Sequence, residues 1–290
     1  MSLAFRASLS LLALFLSFFH SVPAPFQSSA PDSKAPALIQ GSPQASDESA
    51  VRAVMEKYFA LYASKDLDGL ISLWSKRSPD LESRKQAIEK LFADYDKIEM
   101  KNPVVLKVAI EGEKARLRVE VEVDAVASKI GVSAAGVGLR KRFLECVREN
   151  GAWHVWRDES AFENLAVTLA AAATKNERDA LLAEEKDLWS PELSRALNIL
   201  GIRYAIRSLY PKAIDIFQIA WSVAEKVDDR QVLAEASHNI GLAYVYQGAY
   251  ESGLEYLQKS LRLAEAMQDK NKMARALTGM GIAYQDQGRF

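Results

Sequence analysis

The stretch that decides the fold of the second half of the chain is NIGLAYVYQGAY, residues 239–250. A related stretch, GMGIAYQDQGRF, follows forty residues later at 279–290. Four sets of residues share this 40-residue spacing: Gly201, Gly241 and Gly281; Tyr204, Tyr244 and Tyr284; Ala196, Ala236 and Ala276; and Tyr210, Tyr250 and Phe290. A constant period of this length predicts repeated copies of one structural unit.

Each unit is predicted to contain two helices joined by a short turn. The first helix carries the glycine and the tyrosine, and the second is the amphipathic segment at 210–226 or 250–266. This pattern resembles the tetratricopeptide repeat, whose LG-x-x-Y positions match Leu200, Gly201 and Tyr204. The same positions recur as Ile240, Gly241 and Tyr244 and as Met280, Gly281 and Tyr284. The family's small, aromatic and small positions in the second helix match Ala213, Phe217 and Ala220, then Gly253, Leu257 and Ser260.

The period exceeds the roughly 34 residues of the common repeat. We expect the extra residues between units, around 226–231 and 267–272, as in the longer repeats of kinesin-light-chain-like and CHAT-associated arrays. The predicted units are 195–234, 235–274 and a partial unit at 275–290. An array that ends on a first helix leaves an apolar face without its second helix. We therefore expect that the chain is a fragment lacking a helix equivalent to 251–267.

The resemblance implies a protein or peptide partner, bound in a groove lined by the first helices. The positions expected to line it are Arg195, Asn198, Ile202 and Ala205, then Glu235, His238, Leu242 and Val245, then Arg275, Thr278, Ile282 and Gln285. Chaperone-binding members hold a carboxylate with lysine and asparagine, but Ile202, Leu242 and Ile282 replace the asparagine here. These apolar residues could bind a peptide or helix, or they could pack against neighbouring repeats.

Residues 46–165 predict a separate α+β domain. Helical apolar spacing runs through 47–64, 67–75 and 78–95, with Ser46 and Ser78 as expected N-caps. The spacing then changes to strict alternation at 113–128, which is typical of a strand with one buried face. Strands are also predicted at 102–113, 139–149 and 152–160, the last two joined by the hairpin signal Asn150-Gly151. This order of three helices and a curved antiparallel sheet resembles the NTF2-like (SnoaL-type, ketosteroid-isomerase-like) cone.

Some NTF2-like families are isomerases or hydrolases, so the cone interior is a candidate ligand pocket. The candidate residues are Tyr58, Tyr62 and Trp74 on helices and Glu145, His154, Trp156 and Asp158 on strands. Core packing is the simpler interpretation of the two tyrosines, and a lone strand histidine is more often structural than catalytic. The sequence therefore predicts no catalytic residue, and a pocket built on Tyr58, Tyr62, Trp74, His154 and Trp156 remains an alternative.

Composition excludes several classes of site. The net charge of −1 gives no basic surface for nucleic acid. The three histidines, His20, His154 and His238, are far apart, and the single cysteine, Cys146, lies in a strand-like stretch. We expect no metal site, no cofactor and a buried, inert thiol. The glycines at 131–141 lack the spacing of a phosphate-binding loop and predict a connection between strands.

The N-terminus predicts export. Arg6 precedes an uncharged apolar run at 9–19, which is too short to span a bilayer and typical of a signal peptide. We expect a signal peptide at 1–24 and a Pro/Ser/Ala-rich linker at 25–45, leading to a periplasmic or extracellular protein. An uncleaved membrane anchor and a cytoplasmic protein with an apolar start are the alternatives.

Between the two predicted domains, residues 166–194 predict connecting helices. Thr174 and Glu177 form a capping-box pattern, and Ser190-Pro191-Glu192 predicts the start of a further helix.

Taken together, these patterns favour an exported, non-enzymatic binding or scaffolding protein. The first alternative is the N-terminal regulatory part of a larger enzyme, such as a CHAT-type protease. The second is a cone that binds a small molecule or has an isomerase-like activity.

Overall fold

A computed structural model of the chain describes residues 43–128 and 137–288. These residues form two compact units that divide between Ala161 and Phe162. The predicted signal peptide, the linker up to residue 42 and Phe290 lie outside the described residues. So do residues 129–136 of the predicted glycine-rich connection, while its last residues begin a strand at Gly138.

The first unit, the α+β domain, begins with three helices: α1 (Pro43–Ala63), α2 (Leu67–Ser72) and α3 (Leu81–Asp94). Helix α1 begins three residues before Ser46, so the predicted N-cap is wrong. Asp80 precedes α3, and Ser78 is therefore not its cap either. Instead, the Ser78 hydroxyl accepts a hydrogen bond from the Asp80 amide at 3.1 Å and donates one to the Trp156 carbonyl at 2.7 Å. Its hydroxyl fixes a turn rather than a helix end.

Four antiparallel strands follow in the order β1-β2-β3-β4. Their bounds are β1 Tyr95–Glu111, β2 Lys114–Ala127, β3 Gly138–Glu149 and β4 Ala152–Ser160. Along β2 the alternation is confirmed, because Ala115, Leu117, Val119, Val121 and Val123 are buried. Helix α1 packs against β1 and β4 and encloses the apolar core with this face of the sheet.

Bulges bend the sheet. Pairing between β1 and β2 skips from Lys101 to Val104, where Asn102 has a positive φ of 50°. Strand β4 has an irregularity at Trp156, between the paired residues Val155 and Arg157. An extra residue in one strand increases the local twist and bends it. Three helices followed by a curved four-stranded antiparallel sheet are the fold class predicted for this domain.

The second unit is helical throughout its described length. It contains α4 (Ala161–Ala171), α5 (Lys175–Glu184), a 3-10 turn (Lys186–Leu188) and α6 (Pro191–Ile206). The predicted caps at Thr174 and Ser190 are confirmed, because their side chains accept from the amides of Glu177 and Leu193. The Glu177 carboxylate accepts from the Ala173 amide at 2.8 Å, one residue earlier than a capping box requires.

Four further helices complete the array: α7 (Tyr210–Lys226), α8 (Arg230–Tyr246), α9 (Tyr250–Ala266) and α10 (Lys270–Asp286). Each has 17 residues, and three residues separate each from the next. The expectation that the extra residues lie between the units is therefore wrong. They lengthen the helices, because the apolar spacing continues through the predicted connections.

The repeated glycines are contact points between helices. A Cβ atom on Gly201 would lie 2.4 Å from the Phe217 ring, and one on Gly241 would lie 2.7 Å from Cγ of Leu257. Both distances are too short for real carbon atoms. The first and second helices of these two units thus approach closely because the glycine has no side chain.

Candidate functional site

The first helices of the repeats, α6, α8 and α10, lie side by side in one layer. Helix α8 contacts both α6 and α10, while α7 packs between α6 and α8 and α9 between α8 and α10. We call the surface that α6, α8 and α10 present away from α7 and α9 the inner face. It is the location that the sequence predicts for a groove.

A polar network joins the three helices of the inner face. The Asn239 amide donates to the Asn198 side-chain oxygen at 3.0 Å, and the Asn198 amide donates to Glu235 at 3.5 Å. Glu235 pairs with Lys272 of α10 at 3.3 Å. At one end, Arg195 lies 3.6 Å from Asp229, the N-cap of α8. These contacts hold the helices in register and present charged groups of both signs.

The predicted groove residues fall into three groups. Arg195, Arg275 and Thr278 are exposed, as is Gln285. Ile202, Ala205, Leu242 and Ile282 are half-buried and pack against the apolar clusters between the helices. Asn198 and His238 are buried, and Glu235 is partly buried in the network.

Val245 does not line a groove. Its side chain is buried with Leu257 and Ala283, and it faces Gly253 of α9. Position 245 therefore belongs to the interior of the array, because the second helix of the unit covers it.

The sequence prediction missed two exposed apolar residues of α6. Ile199 and Ile206 are 44% and 62% exposed. They lie four and eleven residues after Arg195, so they share one helical stripe with Arg195 and Ile202. The sequence indicates this stripe, because Ile199, Ile202 and Ile206 lie three and four residues apart.

His238 is the one predicted groove residue with an unusual electrostatic environment. Burial, with a smaller contribution from Arg275, lowers its pKa to about 4. Its Nδ1 atom is buried and has no hydrogen-bond partner among the described residues. The imidazole is therefore neutral at physiological pH and unsuited to bind an anion there.

The α+β domain contains a second cluster of polar side chains, centred on Asp158. The Tyr58 hydroxyl donates to its Oδ2 at 2.9 Å, and Arg142 donates to its Oδ1 from Nε at 2.9 Å and from Nη2 at 2.5 Å. Arg84 lies 3.8 Å from Oδ2. Tyr62 extends the cluster through a 3.1 Å contact between the two tyrosine hydroxyls. Two arginines thus surround one carboxylate.

The surroundings of the cluster shift the pKa values of its two candidate acid–base groups, Asp158 and Tyr58, in opposite directions. Burial alone would raise the pKa of Asp158, but Arg142 and Arg84 outweigh it and lower that pKa. Burial and the Asp158 charge raise the pKa of Tyr58 well above its ordinary value. A general acid or base works best with a pKa near the working pH, and both groups move away from neutrality. The arrangement suits binding or structural support better than proton transfer.

The bulge at Trp156 explains which strand residues join the cluster. Trp153 and Val155 face the core, as alternation predicts. Because the extra residue shifts the alternation by one, Asp158 rather than Arg157 faces the core beyond it. His154 and Trp156 are half-buried, whereas Tyr58, Tyr62 and Trp74 lie together in the core. The sequence prediction missed Arg84 and Arg142, since a charged residue on an amphipathic element normally predicts a solvated face.

A comparison with protein-family models identifies the array. The model described as tetratricopeptide repeat matches residues 192–266 and, overlapping them, 232–290. This part of the chain is a tetratricopeptide-repeat array. Each pair of antiparallel helices, α6–α7 and α8–α9, is one repeat, and α10 is the first helix of another. Such arrays bind other proteins.

Solved structures resemble the N-terminal part of the chain. A candidate scytalone dehydratase from Novosphingobium aromaticivorans is 15% identical and has a TM-score of 0.34, covering 40% of this chain and 83% of that one. An NTF2-like protein of unknown function from Shewanella baltica is 14% identical with a TM-score of 0.29, covering 39% and 90%. A conserved protein from Planctomyces limnophilus is 20% identical with a TM-score of 0.31, covering 39% and 93%. No curated protein matches the chain.

The described residues give little support for a cysteine nucleophile or a metal site. Cys146 is buried, and burial, followed by Glu145 and Asp158, raises its pKa to about 12. The thiol is thus unsuited to act as a nucleophile. Within residues 43–128 and 137–288, no group of histidine, cysteine and acidic side chains has a metal-binding arrangement. In the same ranges, no helix has the length and apolar character needed to cross a membrane.

Proposed function

We propose that the protein is a scaffold that binds a peptide segment of a partner protein on the inner face of its tetratricopeptide array. The observation that carries this proposal is the Asn198–Glu235–Lys272 network, which joins α6, α8 and α10 into one continuous surface. A peptide crossing this surface would contact three helices at once.

The exposed side chains define the chemistry of the peptide. Ile199 and Ile206 offer apolar contact, and Arg275 is exposed on α10. Arg195 of α6 is also exposed, beside its partner Asp229. Glu235 is already paired with Lys272. The face therefore favours a segment that combines apolar and acidic residues.

A displayed library of random peptides, selected on the full chain, tests this proposal. We expect selected peptides to be enriched in acidic and apolar residues. Arg275→Glu should weaken their binding at least tenfold, as measured by fluorescence anisotropy. The matched control is Arg262→Glu on α9, which changes an exposed arginine away from the inner face. Equal binding to both variants, or no selection of any peptide, would refute the inner face as a binding site.

A second candidate function belongs to the α+β domain, where the Asp158 cluster supports binding of a small acid or carbonyl compound. Two arginines, with side chains 25% and 23% exposed, face one buried carboxylate and leave an excess positive charge beside it. Trp74, only 2% exposed, has an indole N–H without a hydrogen-bond partner among the described residues. Its ring lies 6.5 Å from that of Tyr58 and 6.0 Å from the Arg84 guanidinium carbon. An oxygen-bearing ligand could accept from this donor.

Thermal unfolding of the full chain with a panel of small carboxylic acids and ketones tests the second function. We expect saturable stabilisation by at least one compound and its loss in Trp74→Phe, which removes the donor and keeps an aromatic ring. If no compound raises the unfolding temperature, the second function is wrong, and the first is unaffected.

Export remains a proposal supported by the N-terminal sequence alone. The apolar run at 9–19 after Arg6 favours cleavage near residue 24. N-terminal sequencing of the protein recovered from cell fractions would test it: a mature chain beginning near residue 25 outside the cytoplasm is expected, and an intact Met1 in the cytoplasm would contradict it.

A further inference from the structure

Arg84 of α3 lies on the apolar face of its helix. Leu81, Ile88 and Leu91 share that face by helical spacing, and all three pack in the core of the α+β domain. The Arg84 side chain is itself only 25% exposed. Removal of a charged group from water is costly unless an opposite charge or hydrogen bonds compensate it. The partners of this guanidinium group therefore decide whether its charge is compensated.

The guanidinium group of Arg84 makes no hydrogen bond to an anion among the described residues. Its ion-pair partner is Asp158, whose Oδ2 atom lies 3.8 Å from Nη1, beyond hydrogen-bonding distance. The Asp158 carboxylate already accepts two hydrogen bonds from Arg142 and one from Tyr58. Since Arg142 alone balances the charge of Asp158, Arg84 is a surplus cation.

A second donor without an acceptor lies beside Arg84. The indole N–H of Trp74 has no hydrogen-bond partner among the described residues, and this residue is 2% exposed. The Arg84 guanidinium carbon lies 6.0 Å from the centroid of the Trp74 ring. The neighbouring carboxylate of Asp80 is already paired with Arg157 at 3.0 Å. A cation and a neutral N–H donor thus lie together, and both lack a hydrogen-bond acceptor within the described part of the chain.

We propose that Arg84 and Trp74 bind the carboxylate group of a small organic acid. This site rests on the second proposed function and narrows its ligand class from acids and carbonyl compounds to carboxylates. A guanidinium group donates two parallel N–H groups to a carboxylate, and the indole N–H donates a third. A ketone carries no charge and would leave Arg84 uncompensated. Because the neighbours of Arg84 on α3 are apolar, the rest of the acid is small and apolar.

Matched pairs of compounds test the ligand class. Acetate, benzoate and phenylacetate, each compared with its neutral amide, are added to the full chain during thermal unfolding. We expect at least one acid to raise the unfolding temperature saturably and its amide to have little effect. If none of the three acids does so, the carboxylate site is wrong. If acetophenone or an amide stabilises the chain and the acids do not, the carboxylate site is wrong but the second function stands.

Variants of Arg84 test the site itself. Arg84→Gln should weaken binding of the active acid at least about tenfold, because a charge-assisted hydrogen bond is lost. The matched control is Arg77→Gln, which removes an arginine that is 72% exposed and paired with Glu149 at the surface. This variant should bind the acid as the natural chain does. Equal binding by Arg84→Gln and Arg77→Gln would overturn the proposal.

Stability without added acid gives an independent readout. Arg84→Gln leaves the Arg142–Asp158 pair balanced, so its unfolding temperature should be no lower than that of the natural chain. A large decrease would show that Arg84 is a structural partner of Asp158 and would contradict the proposal. Arg84→Lys keeps the charge without the two parallel N–H groups, and it should bind the acid more weakly than the natural chain. Undiminished binding by this variant would also count against the site.

Discussion

At the scale of the residue, Asp158 is the group on which the interior of the α+β domain depends most. Its carboxylate accepts from Tyr58 and Arg142 and lies near Arg84, and its side chain is 2% exposed. Removal of one partner of a buried ion pair leaves uncompensated charge, which costs several kcal/mol. The side chains of Arg84 and Arg142 are 25% and 23% exposed, so water reduces that cost.

We predict that Asp158→Asn lowers the free energy of unfolding of the α+β domain by about 3 kcal/mol. Because the pKa of Asp158 is lowered in the folded state, its stabilising contribution is present above the unfolded pKa of 3.8 and is lost as pH falls through the folded pKa. Urea unfolding between pH 7 and 3 measures both effects, and the variant should lose less stability in acid than the natural chain.

Asp124→Asn is the control for this prediction. Asp124 forms a surface ion pair with Lys101, and we expect little change on its removal. Similar losses in the two variants would mean that the Asp158 cluster contributes no more than a surface pair.

His238 gives the tetratricopeptide array a separate dependence on pH. Its pKa falls from 6.5 to about 4 on folding, so the unfolded chain binds the proton more tightly. The contribution of neutral His238 to the free energy of unfolding is therefore fully present above pH 6.5 and decreases as pH falls toward 4. Between pH 7 and 5 the expected loss is about 2 kcal/mol, at about 1.4 kcal/mol per pH unit below 6.5.

Urea unfolding of the helical signal at pH 7 and pH 5 checks this expectation. His238→Gln should remove the pH-dependent loss, while His154→Gln in the other domain should retain it. The same loss in His238→Gln as in the natural chain would contradict the assignment.

At the scale of the element, the connections between the repeat helices share one conformation. The second of their three residues has a positive φ at Ser208, Asp228, Gly248 and Gln268, which lie twenty residues apart. The left-handed region disfavours side chains with a Cβ atom. Of these four residues, only Gly248 adopts a positive φ without strain.

We predict that Gly248→Ala destabilises the array by about 1 kcal/mol, although no atom lies within 4 Å of the new Cβ. Gly281→Ala is the matched case, because it is equally open but helical, and it should stabilise the array by up to about 1 kcal/mol. Thermal unfolding measures both variants. If both substitutions shift the unfolding temperature in the same direction, backbone conformation does not determine their effects on stability.

Contact between helices should make Gly241→Ala the most damaging of the three glycine substitutions. The new Cβ would lie 2.9 Å from the Gly253 carbonyl oxygen, a backbone atom that cannot move alone. We expect a loss of about 2 kcal/mol. A loss no larger than that of Gly248→Ala would show that α8 and α9 separate easily, and calorimetry of both variants decides it.

The sequence predicts elements better than it predicts their junctions. The 40-residue period identified the repeats because close helix contacts require glycine at fixed places. It placed the extra residues wrongly, since KVDDRQ looks like a loop although α7 extends to Lys226 and α8 begins at Arg230. In the sheet, strict alternation located β2, but nothing in WHVWRDES marks the bulge at Trp156. That bulge brings Asp158 inside and keeps His154 out of the cluster.

At the scale of the whole molecule, the described chain consists of two units with different chemistry. The α+β unit encloses an ionised cluster in its core, and the tetratricopeptide unit presents extended surfaces. Periodicity predicted the helices, the strands and the repeat, and the resemblance to two known families implied the fold classes. It could not predict which groove positions are accessible, because burial of Val245 and Asn198 depends on the packing of neighbouring helices.

The central claim is that the inner face of α6, α8 and α10 binds the partner. Photocrosslinking tests it most directly, with benzoylphenylalanine placed at Ile199 on the inner face or at Arg262 on α9. A peptide selected on the unmodified chain should crosslink through position 199 and not through position 262. Crosslinking through 262, or equally through both positions, would contradict the account.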